Sequence, residues 1–175
     1  MPKKIKELSV EETKKEARAL LKKVKKLGPR DFKPGNVVFG KYNAKYKNLI
    51  YDKSPLTMIL KISPGHILGL NFHWLPYTFR IFLVKKILEM NMKNIKANKP
   101  LEFSYKQLKP FLKKFGYMPC IRCYITGRWR RSGVSVPPEN LLGMARLNME
   151  LFNGGLSADV VYKLARAGKL KVSDD

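Results

Sequence analysis

The sequence predicts an α+β fold: a small antiparallel sheet or SH3-like β-barrel, with packed helices at both ends. Three observations carry this reading. Between residues 36 and 74, the segments "VVFGKY", "LTMILKI" and "HILGLNFHW" are short, rich in β-branched and aromatic residues, and separated by turn signals. On both sides of them apolar residues recur at helical spacing. Two serines, Ser9 and Ser104, each stand three positions before a side chain that can bond back to the serine backbone, Glu12 and Gln107. That is the pattern of a capping box, which satisfies free N–H groups of a first helical turn.

The elements follow in order. Residues 1 to 8 read as a basic tail. Ser9 opens a helix with Ala17, Leu20, Leu21, Val24 and Leu27 on one face and lysines elsewhere; "LGPRDFKPGN" stops it. The turns "NAKYKN" and "SPG" separate the strands. In "GLNFHWLPYTFR" the apolar alternation Leu68, Leu70, Phe72, Trp74 gives way after Pro76 to the helical series Phe79, Phe82 or Leu83, Ile87 and Met90. Proline has no N–H for a ladder, and its fixed φ suits the first turn of a helix. Arg80, Lys85 and Lys86 are expected to point outward from this helix, which covers one open side of the sheet. Ser104 opens the next helix, with Leu108, Phe111, Leu112 and Phe115 as its stripe, a break or bend at Pro110 and an end at Gly116. "YMPCIRCYI" reads as a further strand and "PPENLLGMARLNMELFNGG" as a helix entered at proline and left at glycine. A last helix runs from Ser157 to Gly168, with Asp159 in its positive first turn. The organisation is a basic helical arm (1–30), a barrel-like core with its covering helix (31–100), and a basic hairpin with C-terminal helices (101–175).

Charge points to function. Among 175 residues, 36 Lys and Arg face 13 Asp and Glu, a formal charge of +23, while 45% hydrophobic residues leave enough to build a core. Such a balance repels itself unless an anion neutralises it, and the fitting partners are nucleic acid, an acidic protein or an anionic membrane. No apolar run approaches the roughly 20 residues of a spanning helix, so no membrane partner is expected. The N-terminal stretch lacks the apolar segment of a secretory signal. Two cysteines make no disulfide framework and suit a reducing compartment.

No phosphate-cradling lysine loop, dinucleotide fingerprint or nucleophile elbow is present, and the carboxylates are too scattered for a metal nuclease. We therefore expect no enzyme, no catalytic residue and no cofactor. Cys120 and Cys123 have zinc-knuckle spacing, but a structural zinc site wants four ligands and no second pair exists. They read as two half-buried thiols on a strand, with no metal. His73 reads as a surface or hydrogen-bonded side chain.

The densest basic and aromatic stretch is "RCYITGRWRRSG", residues 122 to 133. Arg122, Arg128, Arg130 and Arg131 offer planar forks for phosphate oxygens, and Trp129 a face for a terminal base pair. Lys22, Lys23, Lys25, Lys26, Lys85, Lys86, Lys113 and Lys114 come in pairs on the expected helices and suit sequence-independent backbone contact.

Two segments, 35–83 and 109–152, carry the elements Tyr51-Asp52, Pro55-Leu56, Gly69-Leu70-Asn71-Phe72-His73-Trp74-Leu75-Pro76, Pro119-Cys120, Arg131-Ser132 and Pro137-Pro138-Glu139. Together they resemble a family of virion proteins of contractile-tailed phages. Trp74 stands where the family has tyrosine, and Cys123 where it has a basic residue. The resemblance, to proteins of the DNA end protector or head completion type, implies binding of double-stranded DNA at its ends and contact with other virion proteins. It also implies location in the virion, with host cytoplasm during assembly. In it Gly69, Asn71 and Pro76 shape the turn between strand and helix. A phage tail or baseplate structural component is the related alternative. A second resemblance covers the C-terminal part. Arg122, Cys123, Thr126, Gly127, Arg128 and then Gly155, Leu156 and Ser157 are similar to a zinc-free small-subunit ribosomal protein, which implies ribosomal RNA as the alternative partner. It leaves residues 35–90 unaccounted for.

Overall fold

A computed structural model describes residues 8–130 and 133–169. Arg131, with Ser132, lies outside the described residues, as do the tail before Leu8 and the chain after Lys169. The first helix, α1 (Val10–Leu20), begins as its capping box dictates. The Glu12 amide donates to Ser9 Oγ at 3.2 Å, and the Ser9 amide to Glu12 Oε2 at 2.8 Å. The helix stops earlier than its apolar spacing predicts. Leu27 is buried, but in a strand, β1 (Lys26–Leu27), because its ladder partner is the remote β6 (Gly133–Ser135). Lys22, Lys23, Lys25 and Lys26 are therefore on a turn and a sheet edge, not on a helix.

The remaining strands are β2 (Val37–Phe39), β3 (Leu56–Ser63), β4 (His66–Asn71) and β5 (Ile121–Ile125). They form one antiparallel sheet in the order β1-β6-β2-β3-β4-β5. The sheet is open: β1 and β5 are its two edges and no closed barrel forms. Aromatic rings take the place of the missing ladder. Tyr42 Oη accepts the Ile125 amide at 3.2 Å, and an isolated bridge pairs Tyr42 with Trp129. The rings of Phe32, Tyr42, Tyr124 and Trp129 meet at centroid distances of 4.9 to 5.5 Å. With Val38, Ile59 and Ile67 they make a second core on one face of the sheet. The other face supplies Val37, Leu56, Met58 and Leu70 to the main core. Alternation along each strand sends neighbouring residues to opposite faces, and here both faces bury them.

Helices cover the main core: α2 (Tyr77–Met90), α3 (Met92–Lys96), α4 (Tyr105–Phe115), α5 (Pro138–Arg146) and α6 (Ala158–Arg166), with α1 and α2 both packed on α5. On α2 the buried stripe is Arg80, Leu83, Val84 and Ile87, while Phe82 and Met90 are exposed. Arg80 thus points inward, against expectation. The i, i+3, i+4, i+7 spacing places it on the core face. Strand pairing in β4 ends at Asn71, so Phe72–Trp74 form a 3-10 turn and not the end of a strand. Gly69 lies within β4, not in the turn: a Cβ there would run into Thr57 Cγ2 on β3.

Helix α4 carries its capping box and runs on through Pro110 without a break, to a left-handed Gly116 at φ 73°. Helix α5 stops at Arg146, well short of the glycines. The chain is then drawn out along the loop before β3. Lys53 donates to Leu151 O at 2.8 Å, Asn153 to Tyr51 O at 3.1 Å, and Asp52 bridges Phe152.

Candidate nucleic-acid interface

The Tyr51-Asp52 element and the Gly69–Pro76 element meet in the interior. Asp52 is buried, and its carboxylate accepts from the Ser54 amide at 2.9 Å and from Asn71 Nδ2 at 3.2 Å. His73 Nδ1 lies 2.8 Å from Asp52 Oδ2, so this nitrogen donates to the carboxylate. Asn71 Oδ1 accepts the His73 amide at 2.9 Å, which closes the 3-10 turn. Through its carbonyl, His73 accepts the Tyr162 hydroxyl at 3.0 Å. Tyr162 also meets Arg80 Nη2 at 3.1 Å, and Arg80 is ion-paired with Glu150. Arg80 donates further to the carbonyls of Leu75 and Leu147. Burial pulls the Arg80 guanidinium below its ordinary value and pushes the Tyr162 hydroxyl up, while their proximity opposes both shifts. These bonds tie β4, α2, α6 and the 148–153 segment together. It is a lock inside the fold, not a surface for a ligand.

The cations form the other candidate. Arg130 donates its amide to Lys41 O at 2.9 Å, and Asn43 donates to Arg128 O at 3.2 Å, on either side of the Tyr42–Trp129 bridge. Trp129 and Tyr42 point into the ring core, so alternation turns Lys41 and Arg130 away from it, side by side across the two segments. The strand that follows, β6, pairs Val134 with both Phe39 and Lys26. Ser135 donates to Lys25 O at 2.9 Å. The turn at Pro29–Asp31 touches the turn at Thr126–Arg128, which brings Arg30 near Arg128. Lys25, Lys26, Arg30, Lys41 and Arg130 are exposed and Arg128 is half-buried. Among the described residues none of these six is paired with a carboxylate; ion pairs there join Lys14 to Glu11, His73 to Asp52, Arg80 to Glu150 and Lys86 to Glu89. The result is a cationic edge on β1–β6–β2.

The sequence-derived residues divide accordingly. Lys25, Lys26, Arg128 and Arg130 come together on this edge. Lys22 and Lys23 are exposed in the turn after α1, beside the start of α5 at Pro137, Glu139 and Asn140. Lys85 and Lys86 are exposed on α2, and Lys113 and Lys114 on α4. Trp129 is 4% exposed, with its ring packed against Phe32, Tyr42 and Tyr124, so it offers no face to a base. Arg122 is likewise 4% exposed, its guanidinium 5.2 Å from the centre of the Trp74 ring. Both belong to the interior because they sit on the inward phase of β5 and of the bridge. Two edge cations, Arg30 and Lys41, are not among the sequence-derived residues. The signal for Lys41 was present in "FGKYN", where strand alternation opposes it to Tyr42.

Cys120 is buried and Cys123 half-buried, and burial pushes the Cys120 thiol up. Among the described residues no group of three or more His, Cys, Asp or Glu side chains is placed to hold a metal ion. No helix of the described residues is long and apolar enough to cross a membrane. The chain matches no known protein-family model, no curated protein and no solved structure.

Proposed function

We propose that the protein is a non-enzymatic DNA-binding protein that grips backbone phosphates along the edge formed by Lys25, Lys26, Arg30, Lys41, Arg128 and Arg130. The observation that carries this reading is the pair Lys41 and Arg130, two cations held side by side and, among the described residues, paired with no carboxylate. Like charges directly opposite each other across a ladder destabilise it. A phosphate chain laid along the edge relieves that repulsion, and the net charge of +23 draws such a polyanion from a distance. Contacts of this kind hold and orient a duplex without reading its sequence. With six cations on phosphates, log K falls by about five for each log unit of salt.

The biological setting in this proposal comes from the resemblance to virion proteins: packaged DNA near its ends, or the head–tail junction. End preference is separable from the phosphate grip, because the buried Trp129 cannot cap a terminal base pair. Exonuclease digestion of linear duplex at physiological salt tests both parts. Protection by the wild type, weakened in Arg128→Ala/Arg130→Ala, with blunt linear DNA competing better than a closed circle, is the expected result. Equal digestion with and without protein overturns end protection. Co-sedimentation with small ribosomal subunits and preference for structured RNA favour the ribosomal alternative.

A further inference from the structure

Two of the exposed apolar residues share one surface with further aromatic rings. Phe82 on α2 is 53% exposed and Phe115 on α4 is 42% exposed. Between them the half-buried Phe79 and Phe111 stack at 5.2 Å, with an interplanar angle of 23°. Phe82 lies 6.1 Å from Phe111, and Phe115 lies 5.0 Å from Phe111 and 5.6 Å from Phe79. This is one continuous aromatic surface spanning two helices, larger in kind than the single exposed side chains that need no explanation. Lysines border it: Lys85 and Lys86 lie one turn from Phe82, and Lys114 Nζ is 5.7 Å from the Phe115 ring. Helix α4 contains no acidic residue and α2 only Glu89, which is 3.6 Å from Lys86.

We infer that this face of α2 and α4 docks an acidic amphipathic helix of another protein. Its apolar stripe covers the phenylalanines and its carboxylates meet the lysine border. The charge decides among occupants. A second copy of this chain brings lysines against lysines. A single-stranded nucleic acid stacks on free ring faces, and the central pair, Phe79 and Phe111, turn theirs to each other, which leaves only the outlying Phe82 and Phe115. A helix with apolar residues at i, i+3, i+4 and i+7 fits a two-helix surface, and carboxylates on its flanks match the border. The inference does not rest on the nucleic-acid reading, and it reassigns Lys85, Lys86 and Lys114 to a protein partner.

The test uses the full chain and a fluorescent synthetic helix with Leu at i, i+3, i+4 and i+7 and Glu elsewhere. The controls are a scrambled peptide of equal composition, an oligo-dT strand, phosphatidylserine vesicles and sedimentation of the protein alone. The acidic helix should bind at least about tenfold more tightly than its scramble, a difference readily resolved by anisotropy. Phe82→Ser/Phe115→Ser and the charge reversal Lys85→Glu/Lys114→Glu should each weaken it by about the same factor. Both variants should keep a cooperative thermal transition, and Arg130→Ala should leave peptide binding unchanged. Equal binding of helix and scramble overturns the inference. So does capture of oligo-dT, vesicles or a second copy that is lost in Phe82→Ser/Phe115→Ser.

Discussion

Asp52 and His73 meet at 2.8 Å through Oδ2 and Nδ1, with both side chains 1% exposed. They lie far apart along the chain, on the loop before β3 and the turn after β4, and their pairing fixes how those segments close. Removing either partner leaves a buried polar group unsatisfied, which costs about 2 kcal/mol. Asp52→Ala should therefore lower the urea midpoint without changing duplex binding per folded molecule, since Asp52 and His73 pair with each other and not with any of the six edge cations.

Glu150→Ala strands the Arg80 guanidinium inside the core. Breaking a buried pair on one side costs roughly 3 kcal/mol or more, because the remaining charge keeps its desolvation penalty. The effect should exceed that of Asp52→Ala in denaturant titration. Equal losses would mean that the carbonyls of Leu75 and Leu147 suffice for Arg80.

Gly69 is set by crowding. A Cβ collides with Thr57 Cγ2, and overpacking of this kind costs about 1–3 kcal/mol. Thr57→Ser removes that methyl and keeps the hydroxyl, which lies 3.3 Å from Tyr124 Oη. Gly69→Ala should destabilise, and Gly69→Ala/Thr57→Ser should recover much of the loss, a coupling measurable as a double-mutant cycle.

Alkaline pH should unfold the protein. Burial raises Cys120 above its ordinary 9.0, and raises Tyr124 and Tyr162 above their ordinary 10.0. Each is neutral when protonated, so above those values the unfolded chain releases a proton that the folded chain keeps. Their contribution is intact below pH 9 and declines as pH climbs, by about 1.4 kcal/mol per pH unit for each group. Tyr124→Phe should flatten the decline above pH 10 in thermal melts.

How much of this was legible in the chain depended on distance. The capping boxes at Ser9 and Ser104 were readable because both partners lie within one helical turn. The strands β2, β3 and β4 were readable from alternation and from the Pro64-Gly65 turn, where Gly65 has φ 74°. Leu27 was misread because its helical spacing is real, while the strand that captures it, β6, is remote in sequence. Arg80 was misread because charge suggests the surface, and its partner Glu150 belongs to a distant segment. Trp129 was misread because its arginine neighbours suggested a ligand, whereas alternation turns the ring inward and the arginines outward. Of the expected site, the edge cations Arg128 and Arg130 could be found from composition. Their alignment with Lys26 and Lys41 requires the β1–β6–β2 pairing.

In the proposed function Lys41 and Arg130 hold phosphates, so the salt dependence of linear duplex binding, followed by anisotropy for the wild type and for Lys41→Ala/Arg130→Ala, reports on them most directly. The slope of log K against log salt should be shallower by about two in the variant, with affinity reduced to a similar extent for unrelated sequences. An unchanged slope and affinity in the variant, or a wild type that ignores duplex DNA even in dilute buffer, overturns the phosphate grip.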